Sequence, residues 1–91
     1  MSIAIGKAAI KNAMGIHLRP ASGLVQVCNR YPDCEVEFAK DGQSVNGKSI
    51  MGVIMLAAEQ GSEIEIKVVG DECNQLLAEL VALIDAKFNE E

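Results

Sequence analysis

The chain has 91 residues, 49% of them hydrophobic and 23% charged, with a formal charge of −5; this is the balance of a globular chain, not a disordered one. Its acidity argues against nucleic acid and anionic membrane surfaces as partners, and no apolar run approaches the ~20 residues that a membrane-inserted span needs. The length predicts one domain over residues 1–91 that folds without disulfide or metal staples.

In chain order, Ile3 to Ile10 reads as a strand from its β-branched residues and early alternation, weakened by Gly6 and the alanines. Lys11 to Ile16 reads as a loop. From Leu18 to about Arg30, Ala21, Leu24, Val25 and Cys28 fall at i, i+3, i+4 and i+7, one face of a helix. Tyr31-Pro32-Asp33 stops it, because the residue before a proline is pushed out of the helical region. Cys34 to Ala39 alternates strictly, as does a strand with one face buried and one wet. Lys40-Asp41-Gly42 is a hairpin signal, and Gln43 to Val45 a short returning strand.

Asn46-Gly47-Lys48 breaks that strand, and Ser49 suits the N-cap of a second helix, Ile50 to about Ala58. Gly61 suits its left-handed C-cap. Glu63 to Val68 alternates throughout and predicts a strand. Asp71 then caps a last helix to about Phe88, with a core stripe of Cys73, Leu77, Leu80, Ile84 and Phe88. The order β-α-β-β-α-β-α, with strands polar on one side, predicts an α+β open-faced β-sandwich: a four-stranded, mainly antiparallel sheet with three helices on one face. These patterns leave the order of strands in the sheet open.

Cys28, Cys34 and Cys73 fit neither C-x-x-C nor zinc spacing, so buried free thiols in a reducing compartment are expected and no metal site. The stretch Met1 to Lys7 lacks the basic and long apolar regions of a secretion signal, which makes cytoplasm the expected location.

Chemistry concentrates in Gly15-Ile16-His17-Leu18-Arg19-Pro20-Ala21-Ser22, which holds the one histidine of the chain. Proline belongs in a first helical turn, where its missing N–H was unpaired anyway. His17 therefore stands at the mouth of a helix, where unpaired amides and the dipole favour an anion. A nucleophilic imidazole, the Arg19 cation and an oxyanion site together suggest a phosphoryl group carried on His17. The same spacing also suits a histidine that merely caps the helix or sits in a turn. No second histidine and no Ser-His-Asp set accompanies it, so a small enzyme or a metal protein has little support.

The motif G-I-H-x-R-P-A, followed about thirty residues on by N-G-K-S-I-M-G-V, resembles the HPr family. These are the histidine phosphocarriers of the bacterial phosphoenolpyruvate-dependent phosphotransferase system. The resemblance spans essentially the whole chain, and the two motifs together are highly specific. It implies that His17 accepts, on Nδ1, a phosphoryl group that enzyme I draws from phosphoenolpyruvate, and passes it to IIA-type acceptors in sugar uptake. Such a protein is a carrier, not an enzyme, and needs no cofactor. Arg19 would help hold the phosphate, with Leu18 and Pro20 forming the helix start beneath it.

The resemblance also makes Ser49 a second phosphorylation site, for an HPr serine kinase/phosphorylase, and makes Ser22, Ile50, Met51 and Ile54 a docking surface. Leu18 departs from the small residue usual in the family, which bears on how closely partners approach the imidazole. The run Val81 to Phe88 with its acidic end resembles the nitrogen-related NPr paralogues, whereas Asn46 to Val53 resembles the serine-regulated sugar form. The alternative function is accordingly an NPr-type or serine-phosphorylated module that regulates transcription or metabolism.

An independent reading of the second helix supports the docking surface. Ile50 to Leu56 is apolar all round, yet a helix on an open sandwich buries about half its circumference. Exposed methionine and isoleucine beside His17 would form an adaptable landing site; the alternative is a helix that is simply deeply buried.

Overall fold

Alternating apolar side chains dictate the sheet. In the computed structural model, which describes residues 2–90, strands form at β1 (Ile3–Ala9), β2 (Glu35–Lys40), β3 (Gln43–Asn46) and β4 (Glu63–Val69). Helices form at α1 (Leu18–Asn29), α2 (Ile50–Met55) and α3 (Cys73–Asp85), and a 3-10 turn follows at Lys87–Asn89. The sheet order is β1-β4-β2-β3 and its pairs are antiparallel. In β4 the alternation is exact in effect: Ile64, Ile66 and Val68 are fully buried, and Glu63, Glu65 and Lys67 face water. Register then places Phe38 opposite both Ile66 and Val45, extending the buried face across the sheet. Each such side chain contributes about 1.5–3 kcal/mol by leaving water.

β1 uses its alternation in an unexpected sense. Ala4 and Ala8 are buried while Ile3 and Ile5 are exposed. The small residues lie against α3: a Cβ added at Gly6 would sit 3.2 Å from Leu77 Cδ2. Close approach of a helix selects small residues on the inner face.

α2 and α3 differ from the sequence expectation. α2 ends at Met55, not near Ala58, because Leu56 and Ala57 tighten into i→i+3 bonds and Ala57 turns to a φ of 56°. Gly61, expected as its C-cap, adopts its φ of 89° in the turn before β4 instead. The N-cap of α3 is Glu72, with no side-chain cap bond, so Asp71 lies one residue too early to cap it. Its buried stripe is Cys73, Leu76, Leu80 and Ile84; Leu77 is half-buried over Gly6, and Phe88 lies beyond the helix in the 3-10 turn.

Cys28, Cys34 and Cys73 are buried free thiols. The segment before α1 is pinned to the segment before β4 by three backbone bonds: Ile10 N–H to Ser62 O, Gly61 N–H to Ile10 O, and Ile16 N–H to Ala58 O at 2.9 Å. Gly15, at φ 68°, makes this possible, since a Cβ there would lie 2.5 Å from Ala58 O. That anchorage fixes where His17 emerges.

Candidate functional site

His17 is the N-cap residue of α1, in extended backbone at φ −107° and ψ −165°. Its carbonyl accepts the first helical bond, from Ala21 N–H at 2.9 Å. Its side chain makes no capping bond, so the imidazole is not engaged in capping the helix. The helix begins at Leu18, so Pro20 is its third residue and has no N–H to leave unpaired. Leu18 and Arg19 supply the amides that a first turn leaves without intrahelical partners.

Around the imidazole lies a recess of about 460 Å³ lined by Met14, His17, Arg19, Pro20, Phe88 and Glu90, together with Asn89. The His17 side chain is 37% exposed. Arg19 is exposed and, among the described residues, enters no ion pair. The recess thus combines an accessible imidazole with an uncommitted guanidinium at a helix start, a setting suited to an anion.

Glu90, in this recess, and Asn12, behind it, are tied to one another, and neither was foreseen from the sequence. Glu90 Oε2 lies 2.9 Å from His17 Nε2, and Glu90 Oε1 accepts a hydrogen bond from Asn12 Nδ2 at 3.1 Å. Asn12 is buried, and its Nδ2 also donates to Gly15 O at 2.7 Å. Asn12 stands five residues before His17 in a stretch read only as a loop. Glu90 is 73 residues away in sequence, and no periodicity connects it to the histidine.

Ser49 lies outside the recess. It caps α2, accepting from Gly52 N–H on its Oγ at 3.0 Å. α2 and α1 pack against one another. On α2 only Val53 is buried; Met51 and Met55 are strongly exposed, Ile50 is at the margin of exposure, and Ile54 is half-buried against the core. Leu18 and Met14 are also exposed. Exposed apolar side chains are thus found on α2, at the start of α1 and, with Met14, in the segment before it. Ser22 is half-buried on α1, where its Oγ lies 3.4 Å from Gln26 Nε2.

A larger hollow of about 660 Å³ lies elsewhere, lined by residues including Pro32, Glu35, Glu37, Asn46 and Lys67; it contains none of the candidate residues. Among the described residues no three His, Cys, Asp or Glu side chains converge as a metal site, and no helix is long and apolar enough to cross a membrane.

Known proteins match this chain along most of its length. The family described as "PTS HPr component phosphorylation site" matches residues 6–86. "Phosphocarrier protein HPr" of Pseudomonas aeruginosa is 42% identical over 82 residues, covering 89% of this chain and 90% of the relative. That of Treponema pallidum is 40% identical, covering 90% of this chain and 92% of the relative. The crystal structure of HPr-C-His from Thermoanaerobacter tengcongensis superposes with a TM-score of 0.91 at 36% identity, covering 97% of this chain and 98% of that one. Fold, length and sequence agree: the chain belongs to the HPr family of phosphocarrier proteins of the phosphotransferase system.

Proposed function

We propose that this chain, acting as one domain in the cytoplasm, accepts a phosphoryl group on His17 Nδ1 from enzyme I and passes it to IIA-type acceptors of sugar uptake. The observation that carries the reading is the shared recess at the start of α1, where an accessible imidazole and the Arg19 guanidinium line one cavity. In the transfer, the Nδ1 lone pair attacks phosphorus, the N–P bond forms, and the bond from phosphorus to the donor breaks with its electron pair leaving on the donor. Imidazole suits both directions, being substantially a free base near neutral pH and a good leaving group from phosphorus. Arg19 and the first-turn amides of α1 offset the charge of the phosphoryl oxygens. The partners supply the remaining machinery.

The exposed apolar residues Leu18, Met51 and Met55, with Ile50 and Ile54, form the landing surface for both partners, with Ser22 on the α1 side. Unbranched methionine adapts to more than one opposing shape. Ser49 is the regulatory site, modified by an HPr serine kinase/phosphorylase. A dianion there gains from the start of α2 while charging the landing surface, so the fold persists and partner binding weakens. The carrier reading is favoured over a purely regulatory module by the presence of His17 and Arg19, which such a module could discard.

Incubation with phosphoenolpyruvate and enzyme I tests the proposal. One phosphate should appear by intact mass, acid-labile and base-stable, and be absent from His17→Ala. A base-labile or acid-stable phosphate, or one that survives in His17→Ala, would refute it.

A further inference from the structure

We infer that Glu90 is a positioning residue that holds the neutral His17 ring in its Nε2–H tautomer, leaving the lone pair on Nδ1; this rests on the reading of His17 as the phosphoryl carrier. A carboxylate only accepts hydrogen bonds. With Glu90 Oε2 at 2.9 Å from His17 Nε2, that nitrogen must carry the proton, and the nucleophilic pair of a neutral ring is then on Nδ1.

Glu90 is itself oriented. Its other oxygen takes one proton of Asn12 Nδ2 at 3.1 Å, while Asn12 gives the second to Gly15 O at 2.7 Å. Both partners of that nitrogen are pure acceptors, which fixes the orientation of the amide. Asn12 Oδ1 is left buried without a partner. The amide is thus committed to the carboxylate and to the turn before His17, at the expense of its own oxygen. In the backbone leading to Glu90, Lys87, Phe88 and Asn89 take φ values of 56°, 56° and 60°, a left-handed run that non-glycine residues rarely adopt. Such strain persists where surrounding contacts over-determine it. Here it ends with the carboxylate against the imidazole.

The tautomer has a chemical consequence for both transfers. Attack through Nδ1 by a ring already protonated on Nε2 gives a cationic phospho-imidazole, whose charge the Glu90 carboxylate offsets. When the phosphoryl group leaves, the electron pair of the N–P bond returns to Nδ1. The original tautomer is restored and no proton moves on Nε2.

The test uses full-length ¹⁵N-labelled protein at a pH where the imidazole is neutral. Two-bond ¹H–¹⁵N spectra of wild type should show Nε2 protonated and Nδ1 bare. Glu90→Ala should move both nitrogen shifts toward a tautomer mixture and slow phosphorylation by enzyme I several-fold, with the melting temperature unchanged because part-exposed pairs add little stability. Glu90→Gln keeps one accepting oxygen for the two donors that the carboxylate serves and adds a donating NH2, so it should hold the tautomer and the rate less well than wild type. Wild-type nitrogen shifts in Glu90→Ala would overturn the inference. Failure of wild type to be phosphorylated would instead remove the carrier reading, with the nitrogen shifts still legible on their own.

Discussion

Ser49 caps α2, and the regulatory role proposed for it can be separated from that capping by substitution. Its Oγ accepts Gly52 N–H at 3.0 Å, and its carbonyl accepts Val53 N–H, also at 3.0 Å. α2 has only six residues, so one cap satisfies a large share of its first-turn amides. Ser49→Ala removes the Oγ bond alone and should cost about 1 kcal/mol. For a domain of this size that lowers the melting temperature by roughly 4–8 °C. Ser49→Asp keeps an accepting oxygen at the same place, and aspartate ranks with serine as a cap, so its melting temperature should stay close to wild type. The order reverses in phosphoryl transfer: Ser49→Ala should accept from enzyme I at the wild-type rate, while Ser49→Asp charges the landing surface and should be slowed. Thermal denaturation followed by circular dichroism, with initial rates of phosphorylation on the same preparations, reads both. Equal destabilisation by the two substitutions would refute the capping geometry. Equal rates would refute the placement of Ser49 at the docking surface.

Four other perturbations probe the frame and the surface. Leu80, which is fully buried on α3, should not tolerate Asp: an unpaired buried charge added to a lost apolar contact exceeds what a small domain can absorb, and the variant should lack a cooperative thermal transition. Gly15→Ala should destabilise by about 1–3 kcal/mol in chemical denaturation, because its Cβ meets Ala58 O at 2.5 Å in a left-handed conformation. Met51→Glu should leave the melting temperature unchanged, since the side chain is exposed, and raise the KM for enzyme I; an unchanged KM removes α2 from the docking surface. Burial pushes the Cys28 thiol up to about 12 from its ordinary 9.0, Lys48 opposing in part, and the hydrogen bond to Glu79 raises Tyr31. Both groups hold their protons more tightly folded than unfolded; the contribution of Cys28 is complete below pH 9 and is lost as the pH climbs toward 12, and that of Tyr31 is lost in the same direction above its ordinary 10.0. Denaturant midpoints measured across that window should fall, and Cys28 should resist iodoacetamide at pH 8 unless the chain is unfolded.

The sheet was legible because β2 and β4 bury one face and wet the other, and a period of two survives any tertiary context that keeps one side dry. α1 was legible for the same reason at period 3.6, with Tyr31-Pro32 to stop it. β1 misleads because its isoleucines look like core, whereas the core side is Ala4, Gly6 and Ala8, selected by the closeness of α3; that closeness is a tertiary fact with no local signal. α2 was read too long because Ala57 carries no mark of a left-handed residue; the anchoring bond from Ile16 N–H to Ala58 O decides its end. That His17, Arg19 and Pro20 share one recess at a helix start was legible from their spacing. Glu90 was not: the left-handed run Lys87 to Asn89 contains no glycine to announce it, and the buried amide that orients Glu90 belongs to a stretch without periodicity.

The direct test of the carrier reading is phosphorus-to-proton correlation NMR on chain phosphorylated by enzyme I and phosphoenolpyruvate. Coupling of the phosphorus to His17 ring protons, in the pattern of an Nδ1 phosphoramidate, is the expected result. Phosphorus bonded to Nε2, to a serine oxygen, or to no residue of this chain would contradict it.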